Sequence, residues 1–574
     1  MISTRSTYAA YHAVPRTIPK RTLAWNVYGS GLERVGRDGR PEWVDVPEPA
    51  PDQLLVRVDA VGLCFSDVKL IRLGGDHPKL YGRDLSREPT RLGHETAVTV
   101  VRAGDDLAGR FHPGQRLAIQ PDIYANGRST AYGYTIPGGL IGYHLIGAEV
   151  LAADDGAYVT EVDDRLGYAE TALTEPWACV EGAYTQRRRL EPQRGGRALV
   201  VGRPGDERRY HFGHVLAVAR EIVLSEVSAD VEKQIRHNAS PDTAVRSADA
   251  DALAAPFDDV VMLGPRSADA VRHAADALGF RGVLNLVGDE PLDGPVEVDV
   301  GRMHYHYTAF VGTRGPDVAA AYGPERNRAE LLPGGTAVFI GAAGPMGQMH
   351  LERALRLPNG PTRLVGIDVD ADRLAAARKR LQPIAAAHHR DLLMAVSSGD
   401  ELKALVAGAT GGRGADDVVV TAPGPKPIVD GAAIMAPDGM LVVFAGVPVG
   451  TRAALNLSPV FLQRAQYTGT SGSRISDQER VIQKSLAGQL SPGRAVAAVG
   501  GIDAAADGLR ALVEGRYAGK IVIFPQLRGL ALTSLEDLAS GDPEFAEALA
   551  DGGAWTSEAE AILFARYWHP ADNA

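Results

Sequence analysis

Apolar positions along the chain fall into two regimes. Across residues 40–120, short apolar runs such as Leu54–Val61, Ala97–Val101 and Gln115–Gln120 are broken by proline, glycine and charge, and Pro113-Gly114 marks a turn. Short runs bounded by turn formers predict strands of a compact β-rich unit. Residues 121–160, rich in Gly and Tyr, predict loops around a cleft. From Gly196 the texture changes. Arg197–Gly202, Ile222–Glu226, Asp258–Gly264 and Gly282–Gly288 read as buried strands separated by Ala-rich helical sequence, with one helix expected over His211–Arg220. That alternation predicts parallel βαβ units.

The same order of elements then recurs in Ala337–Gly341, Leu364–Asp368, Asp416–Val420 and Met440–Gly446. Positions 258 and 416 have the same spacing as 288 and 446. Gly312-Thr-Arg-Gly315 and Gly469-Thr-Ser-Gly472 follow Asp299 and Asn456 at equal distances. An ordered set of matches at one offset predicts two tandem doubly wound domains. Beyond them, Ala504–Glu514 reads as a helix and Lys520–Phe524 as a strand, with Trp555 and Trp568 as packing anchors of the tail.

The two copies differ at the first turn. In the second, Gly334–Gly347 runs from an apolar strand through Ala342-Ala343-Gly344-Pro345-Met346-Gly347 into a helical pattern, and the next apolar run ends on Asp368. A strand–turn–helix–strand of this kind sets a pyrophosphate against helix N-terminal N–H groups and a ribose hydroxyl against the acid. Ala342 stands where the motif usually has its first glycine, so that position needs a negative φ. Asp368 favours NAD(H) over NADP(H), because a carboxylate accepts from ribose hydroxyls and repels a 2′-phosphate; Arg373 partly offsets this. As a bland alternative, Asp368 is a helix-capping acid. The first copy offers only Gly202-Arg203-Pro204-Gly205-Asp206, whose bulky side chains stand where a pyrophosphate needs backbone, and it is expected not to bind the cofactor.

Length and charge narrow the class. At 574 residues the chain exceeds one core, and no apolar run approaches the eighteen residues of a membrane span. The net charge of −11 disfavours a nucleic-acid partner. The start, through Arg21, lacks the apolar core of a signal peptide and is expected to be a disordered or surface arm. Two cysteines, Cys64 and Cys179, exclude a disulfide framework and point to a reduced, cytoplasmic setting.

Cys64, His94 and Glu95, and Glu175 are separated in sequence, yet thiolate, imidazole and carboxylate are all competent zinc ligands. Each also has an ordinary reading as a packed or hydrogen-bonded core group. Lys69, Arg72, His77, Lys79, Arg83, Arg87 and Arg91 read either as an anion-binding rim or as a solvated charged face. Tyr132 and Tyr134 are candidate hydrogen-bonding groups for a polyhydroxyl substrate. His304, Tyr305, His306 and Tyr307 form a polar-aromatic cluster without a counterpart in the other copy and predict an interdomain contact.

Taken in order, GLCFSDV at 62–68, GHE at 93–95, PGQR at 113–116, EPWACVEGAY at 175–184, GPMG at 344–347 and EGRYAGKIVI at 514–523 resemble the zinc-dependent medium-chain dehydrogenase/reductase family. Within it, GAAGPMGQMH at 341–350 and TGTSGSR at 468–474 are most similar to the L-sorbose-1-phosphate reductase-like and polyol dehydrogenase branches. The likeness covers residues 45–190 and 330–525. It implies an α/β protein with a GroES-like β-rich catalytic domain at 1–191, an inserted Rossmann-like domain at 192–322, an NAD-binding Rossmann domain at 323–495, and a returning segment with tail at 496–574.

It also implies Cys64 and His94 as ligands of one catalytic zinc, with Glu95 and Glu175 in acidic or exchangeable ligand positions. Ser66 becomes the hydroxyl of the proton path and Asp67 a partner that holds the site. The four clustered cysteines of a structural zinc are missing, so no second zinc is expected. Cys179 is expected to pack as an apolar residue, with third ligand as its alternative. The implied activity interconverts a secondary alcohol and a ketone on a polyol, cyclitol or sugar, with or without phosphate, using NAD(H) in a homo-oligomer. Alternatives are an epimerase or lyase that oxidises transiently with retained NAD, a zinc-free quinone or enone reductase, and a non-catalytic scaffold.

Overall fold

The computed structural model describes residues 4–15, 17–248 and 256–569. The extreme ends of the predicted arm and tail, and part of the Ala-rich stretch before Asp258, lie outside them. The chain forms two compact units: Met1–Glu181 with Ala375–Ile384 and Gly472–Ala574, and Gly182–Leu374 with Ala385–Ser471. Both duplicated sheets therefore fall in one unit, and the chain returns to the other at Gly472.

The first unit is built around the strand Leu54–Leu63, buried along its whole length. It pairs antiparallel with Glu95–Ala103, with Tyr143–Ile146 at its start, and with Lys520–Phe524 at its end. Its two charged residues, Arg57 and Asp59, alternate onto one face and satisfy each other. Arg57 Nε donates to Asp59 Oδ1 at 2.6 Å, while Tyr11 and Thr99 donate hydroxyls to the same carboxylate, each at 2.6 Å. Arg57 also donates to the Tyr11 carbonyl and lies over the Tyr11 ring. The amino-terminal arm is thus not a surface element. Residues Thr4–His12 are helical, and Tyr8 and Tyr11, one turn apart, place a single aromatic edge against Tyr168 and Phe564. Trp555 is buried in the same cluster and Trp568 packs on its edge.

The second unit holds two six-stranded, all-parallel sheets with identical strand order. In the first the order is Ala244–Ser247, Glu221–Ser225, Arg197–Val201, Phe257–Leu263, Leu278–Val287 and Ala309–Thr313. In the second it is Asp391–Val396, Arg363–Asp368, Thr336–Ile340, Ala415–Val420, Met435–Val443 and Gln466–Gly469. Each is the 3-2-1-4-5-6 order of a doubly wound fold, whose carboxyl ends form a crevice beside the first strand. One hydrophobic cluster runs through both, joining Leu286, Met303 and Phe310 to Val420, Leu441 and Phe461. The strands Val296–Asp299 and Arg452–Leu455, from matching places in the two copies, pair antiparallel with each other.

The helix expected over His211–Arg220 is replaced by turns. Gly213 sits at φ 53°, in the left-handed region, and the local hydrogen bonds are three-residue turns such as Val215 N–H to the Phe212 carbonyl. The first copy therefore lacks a helix N-terminus after its first strand. Arg208 occupies that end of the sheet, paired to Asp206 and Asp289 at 2.8 Å each.

Removing Arg57 would leave Asp59 charged, buried and without its cation. The Arg57→Leu variant is expected to lose about 3–5 kcal/mol in denaturant-induced unfolding of the first unit, and a loss below about 1 kcal/mol would show that the two hydroxyl donors suffice.

Candidate metal centre and dinucleotide turn

Strand register assembles the first site. Gly62 pairs with Glu95 across one edge of the central strand, and Leu63 pairs with Ile521 across the other. Cys64, the next residue, is thereby brought beside Glu95 and Lys520. The chain turns at Cys64 into the helix Phe65–Leu73, where the thiol caps the N-terminus and Asp67 Oδ2 accepts from the Cys64 N–H at 2.9 Å. Asp67 Oδ1 lies 3.3 Å from His94 Nδ1, which leaves Nε2 for a metal. The ligand atoms of Cys64, His94 and Glu95 all lie within 4.8 Å of one another.

A soft thiolate, an imidazole and a carboxylate form a donor set that fits zinc. Glu95 supplies a further sign. Its Oε1 accepts from the buried ammonium of Lys520, whereas Oε2 is buried without a hydrogen-bond partner among the described residues. A buried carboxylate oxygen in that condition is costly unless a cation meets it. Burial works against the Lys520 ammonium, but Glu95, with Cys64 and Glu175, outweighs it and holds its pKa above the ordinary range. Burial likewise opposes the His94 imidazolium, and Asp67 overcomes it, raising its pKa well above the usual value. A metal-ligating imidazole must be unprotonated, so a proton on His94 and a metal at Nε2 oppose each other.

Glu175 lies in the helix Tyr168–Ala183, buried but outside the group of three. Burial raises its pKa to about 7, with His94 opposing and Glu95 reinforcing the shift. It accepts from the Cys179 thiol at 3.6 Å, one helical turn away, and burial pushes that thiol up as well. Ser66 is half-buried on the first turn of the Phe65–Leu73 helix.

Around the site the charged and aromatic candidates divide. The Tyr134 ring is 5.8 Å from that of His94, with the Lys79 ammonium 4.9 Å from its centre. Lys79 is itself committed to Asp122 at 3.0 Å. Tyr132 is fully buried and its hydroxyl is 2.8 Å from His144, so it faces the core instead of a substrate. Arg83 bonds the Thr135 carbonyl, Arg91 bonds Asn26, and Arg87 pairs with Asp84, so those three do not converge on one anion site. Lys520 and Asp122 carried no role in the sequence reading. A lysine heading a wholly apolar strand was the available signal, since such a lysine is buried only with a partner.

The candidate dinucleotide turn lies in the second unit. Gly341 has φ 87°, and Ala342 is not among the residues with positive φ, as its methyl group requires. The helix Pro345–Arg356 starts at Gly344 with no side-chain cap, leaving its first N–H groups to a ligand. A Cβ on Gly347 would lie 2.2 Å from the Gly341 carbonyl oxygen, so glycine there serves close helix–strand packing. A Cβ on Gly344 would meet nothing nearer than 3.5 Å. Protein packing therefore does not demand glycine at Gly344, and the cradle it leaves fits a pyrophosphate. Met346 follows on the same turn, half-buried.

Asp368 ends the second strand and accepts from three backbone N–H groups: Ala343 at 2.9 Å on one oxygen, and Val369 and Asp370 at 2.8 and 3.2 Å on the other. The helix-capping acid is its neighbour Asp370, which accepts from the Arg373 N–H. Arg373 Nε is buried without a hydrogen-bond partner among the described residues.

The alcohol dehydrogenase GroES-like domain matches residues 50–184. The chain is 26% identical to L-sorbose 1-phosphate reductase of Klebsiella pneumoniae over 95% of its own length and 97% of that protein. It is 23% identical to mannitol-1-phosphate 5-dehydrogenase of Aliivibrio fischeri over 91% and 94%. Among solved structures, 2R,3R-butanediol dehydrogenase from Bacillus subtilis aligns over 88% of this chain and 99% of that one, with a TM-score of 0.51 and 16% identity, which shows a shared fold. No helix among the described residues is long and apolar enough to cross a membrane.

Zinc titrated into the chelator-treated protein is expected to bind at about one equivalent, and binding should be lost in Cys64→Ser and His94→Ala but retained in Glu175→Gln. Retention in Cys64→Ser would remove this cluster as the metal centre.

Proposed function

We propose that this chain, a member of the medium-chain dehydrogenase/reductase family and an oxidoreductase of the polyol or sugar-phosphate dehydrogenase type, interconverts a secondary alcohol and a ketone with one zinc ion and NAD(H). The convergence of Cys64, His94 and Glu95 carries this reading. The cradle at Gly344 and the acid at Asp368 support the cofactor. Two relatives matched over nearly their full lengths are named for L-sorbose 1-phosphate and mannitol 1-phosphate, which puts a phosphorylated sugar or polyol first among substrates and leaves unphosphorylated polyols and cyclitols second.

When bound, zinc would act as a Lewis acid toward the alcohol or carbonyl oxygen, and the nicotinamide would exchange hydride with the adjacent carbon. The chain's own residues have separate duties. Asp67 fixes the Cys64 turn through its N–H and fixes the tautomer of His94 through Nδ1. Lys520 neutralises Glu95 on one oxygen and leaves the other without a hydrogen-bond partner among the described residues. Ser66 Oγ takes the substrate hydroxyl proton and passes it outward, in keeping with its half-buried place two residues from Cys64. Glu175, buried near His94 and Glu95 and outside the group of three, serves as an exchangeable neighbour of the ligand set.

Asp368 sets the cofactor preference. Replacing it with serine keeps an acceptor for the Ala343 N–H but removes the charge. In Asp368→Ser, kcat/KM with NAD should fall about 10–100-fold while that with NADP rises, the size expected for a charged hydrogen bond of about 1.5–3 kcal/mol. An unchanged ratio of the two would exclude Asp368 from the ribose.

A screen of polyols, cyclitols, sugars and their phosphates, with NAD and NADP and read by nicotinamide absorbance, is expected to give turnover that a Cys64→Ser variant loses. Turnover of substrate without stoichiometric change in absorbance would replace this reading with transient oxidation by retained cofactor.

A further inference from the structure

The aromatic and histidine cluster at His304–Tyr307 belongs to the copy whose own first turn lacks a helix, yet it is built against the other copy. The helix Val300–Tyr305 is capped by Asp299, which accepts from the Arg302 N–H with one oxygen and from the Gly450 N–H with the other. Its backbone is so close to the second sheet that a Cβ on Gly469 would lie 2.9 Å from the Met303 carbonyl oxygen and 3.1 Å from His304 Cα. His304 is buried, and its Nδ1 lies 3.3 Å from the carbonyl oxygen of Val443. The Tyr307 hydroxyl donates to the carbonyl of Ser471 at 2.7 Å, from a backbone held at φ 53°, an unusual conformation for a bulky side chain. Tyr305 stands edge-on to His304 at 4.5 Å and remains partly exposed.

Val443 is the last residue of its strand, and Ser471 lies two residues past the end of Gln466–Gly469. In a 3-2-1-4-5-6 sheet the ligand lies across the carboxyl ends, one mononucleotide on each side of the first strand. Asp368 marks the adenosine side. The ends of Ala415–Val420, Met435–Val443 and Gln466–Gly469 form the other side, where a nicotinamide mononucleotide would lie. His304 and Tyr307 grip two of those three ends.

We propose that His304 and Tyr307, from the copy without a dinucleotide turn, are positioning residues for the nicotinamide half of the cofactor held by the second copy. They fix the Val443 and Ser471 carbonyls and so hold the backbone that follows in the shape the nicotinamide mononucleotide requires. The inference rests on the cofactor reading above. It assigns the additional domain a part in the second copy's site.

ADP-ribose contains the adenosine half and lacks the nicotinamide, so it separates this role from general loosening. Calorimetric titration of the full-length protein with NADH and with ADP-ribose should show NADH binding about five- to tenfold weaker in Tyr307→Phe and in His304→Leu, with ADP-ribose affinity unchanged. His304→Asn, which can return a donor to the Val443 carbonyl, should recover part of the loss, and the KM for NAD should rise more than kcat falls. Equal weakening of both ligands, or no change in NADH affinity, would overturn the proposal. If the unaltered protein bound neither ligand, the cofactor reading itself would fall and take this inference with it; binding of ADP-ribose alone would overturn the nicotinamide assignment while leaving the adenosine side standing.

Discussion

The pairing of Leu54–Leu63 with a strand more than four hundred and fifty residues later in the chain is the constraint on which the first unit depends. It carries Lys520 into the interior, and a buried ammonium persists only against an anion. Glu95 is that anion, placed by the register of the strand's other edge. The same two pairings fix where Cys64 emerges and where His94 precedes Glu95. The cluster of metal-binding atoms is therefore a consequence of strand register, and a slip of one residue would turn Glu95 to the opposite face. The charges left over follow from it. The carboxylates of Asp67, Glu95 and Glu175 gather around Lys520 and His94, and the Glu95 oxygen without a hydrogen-bond partner among the described residues is where a divalent cation would be met.

Duplication gives the second unit its form. The two sheets have identical strand order, share a hydrophobic core, and join through matching strands that pair antiparallel. Other contacts are reciprocal too: the helix Val300–Tyr305 of the first copy lies against Gln466–Gly469 of the second, and Ser458–Leu462 of the second lies against Ala309–Thr313 of the first. Reciprocity of this kind is the pattern of an isologous dimer, here within one chain. Once the halves are covalently joined, each is free to change alone. The first has the sheet without a helix directly after its first strand, and Arg208 pairs there with Asp206 and Asp289.

Much of this was legible in the sequence, for identifiable reasons. Strands such as Arg197–Val201 and Ala415–Val420 are continuous apolar runs ending at glycine or polar turns, and parallel sheets buried on both faces require that pattern. The offset between copies needed only matched endings. Cys64, His94 and Glu95 could be named because their neighbours resemble a known family, and the structure brings these three together. What the sequence concealed depended on long-range pairing. Lys520 reads in sequence only as the head of a strand, and its burial against Glu95 depends on a partner strand far away in the chain. Tyr132 and Tyr134, two residues apart in a loop, look equivalent on paper; one is consumed by His144 in the core and the other stands beside His94. The helix expected after Arg197–Val201 failed because one left-handed glycine interrupts an otherwise plausible helical run. The amino-terminal arm was misjudged because Tyr8 and Tyr11 are anchored by residues from distant parts of the chain, Glu560 and Asp59.

In the proposed reading Asp368 has two tasks that a sequence motif presents as one. A carboxylate offers about four lone-pair sites, and three here already accept backbone N–H groups, including that of Ala343 inside the dinucleotide turn. A ribose presenting two hydroxyls must therefore displace at least one of those bonds. The Ala343 N–H is the one best placed to be released, because a pyrophosphate arriving at Gly344 offers it another oxygen. Adenosine-side ribose and pyrophosphate would then be recognised together, each making the other's bond available. An acid tied in this way also shapes the turn when no ribose is present, which explains why alanine is tolerated at Ala342: the carboxylate bonded to its neighbour's N–H holds the turn with negative φ that a first glycine would otherwise leave to its own freedom.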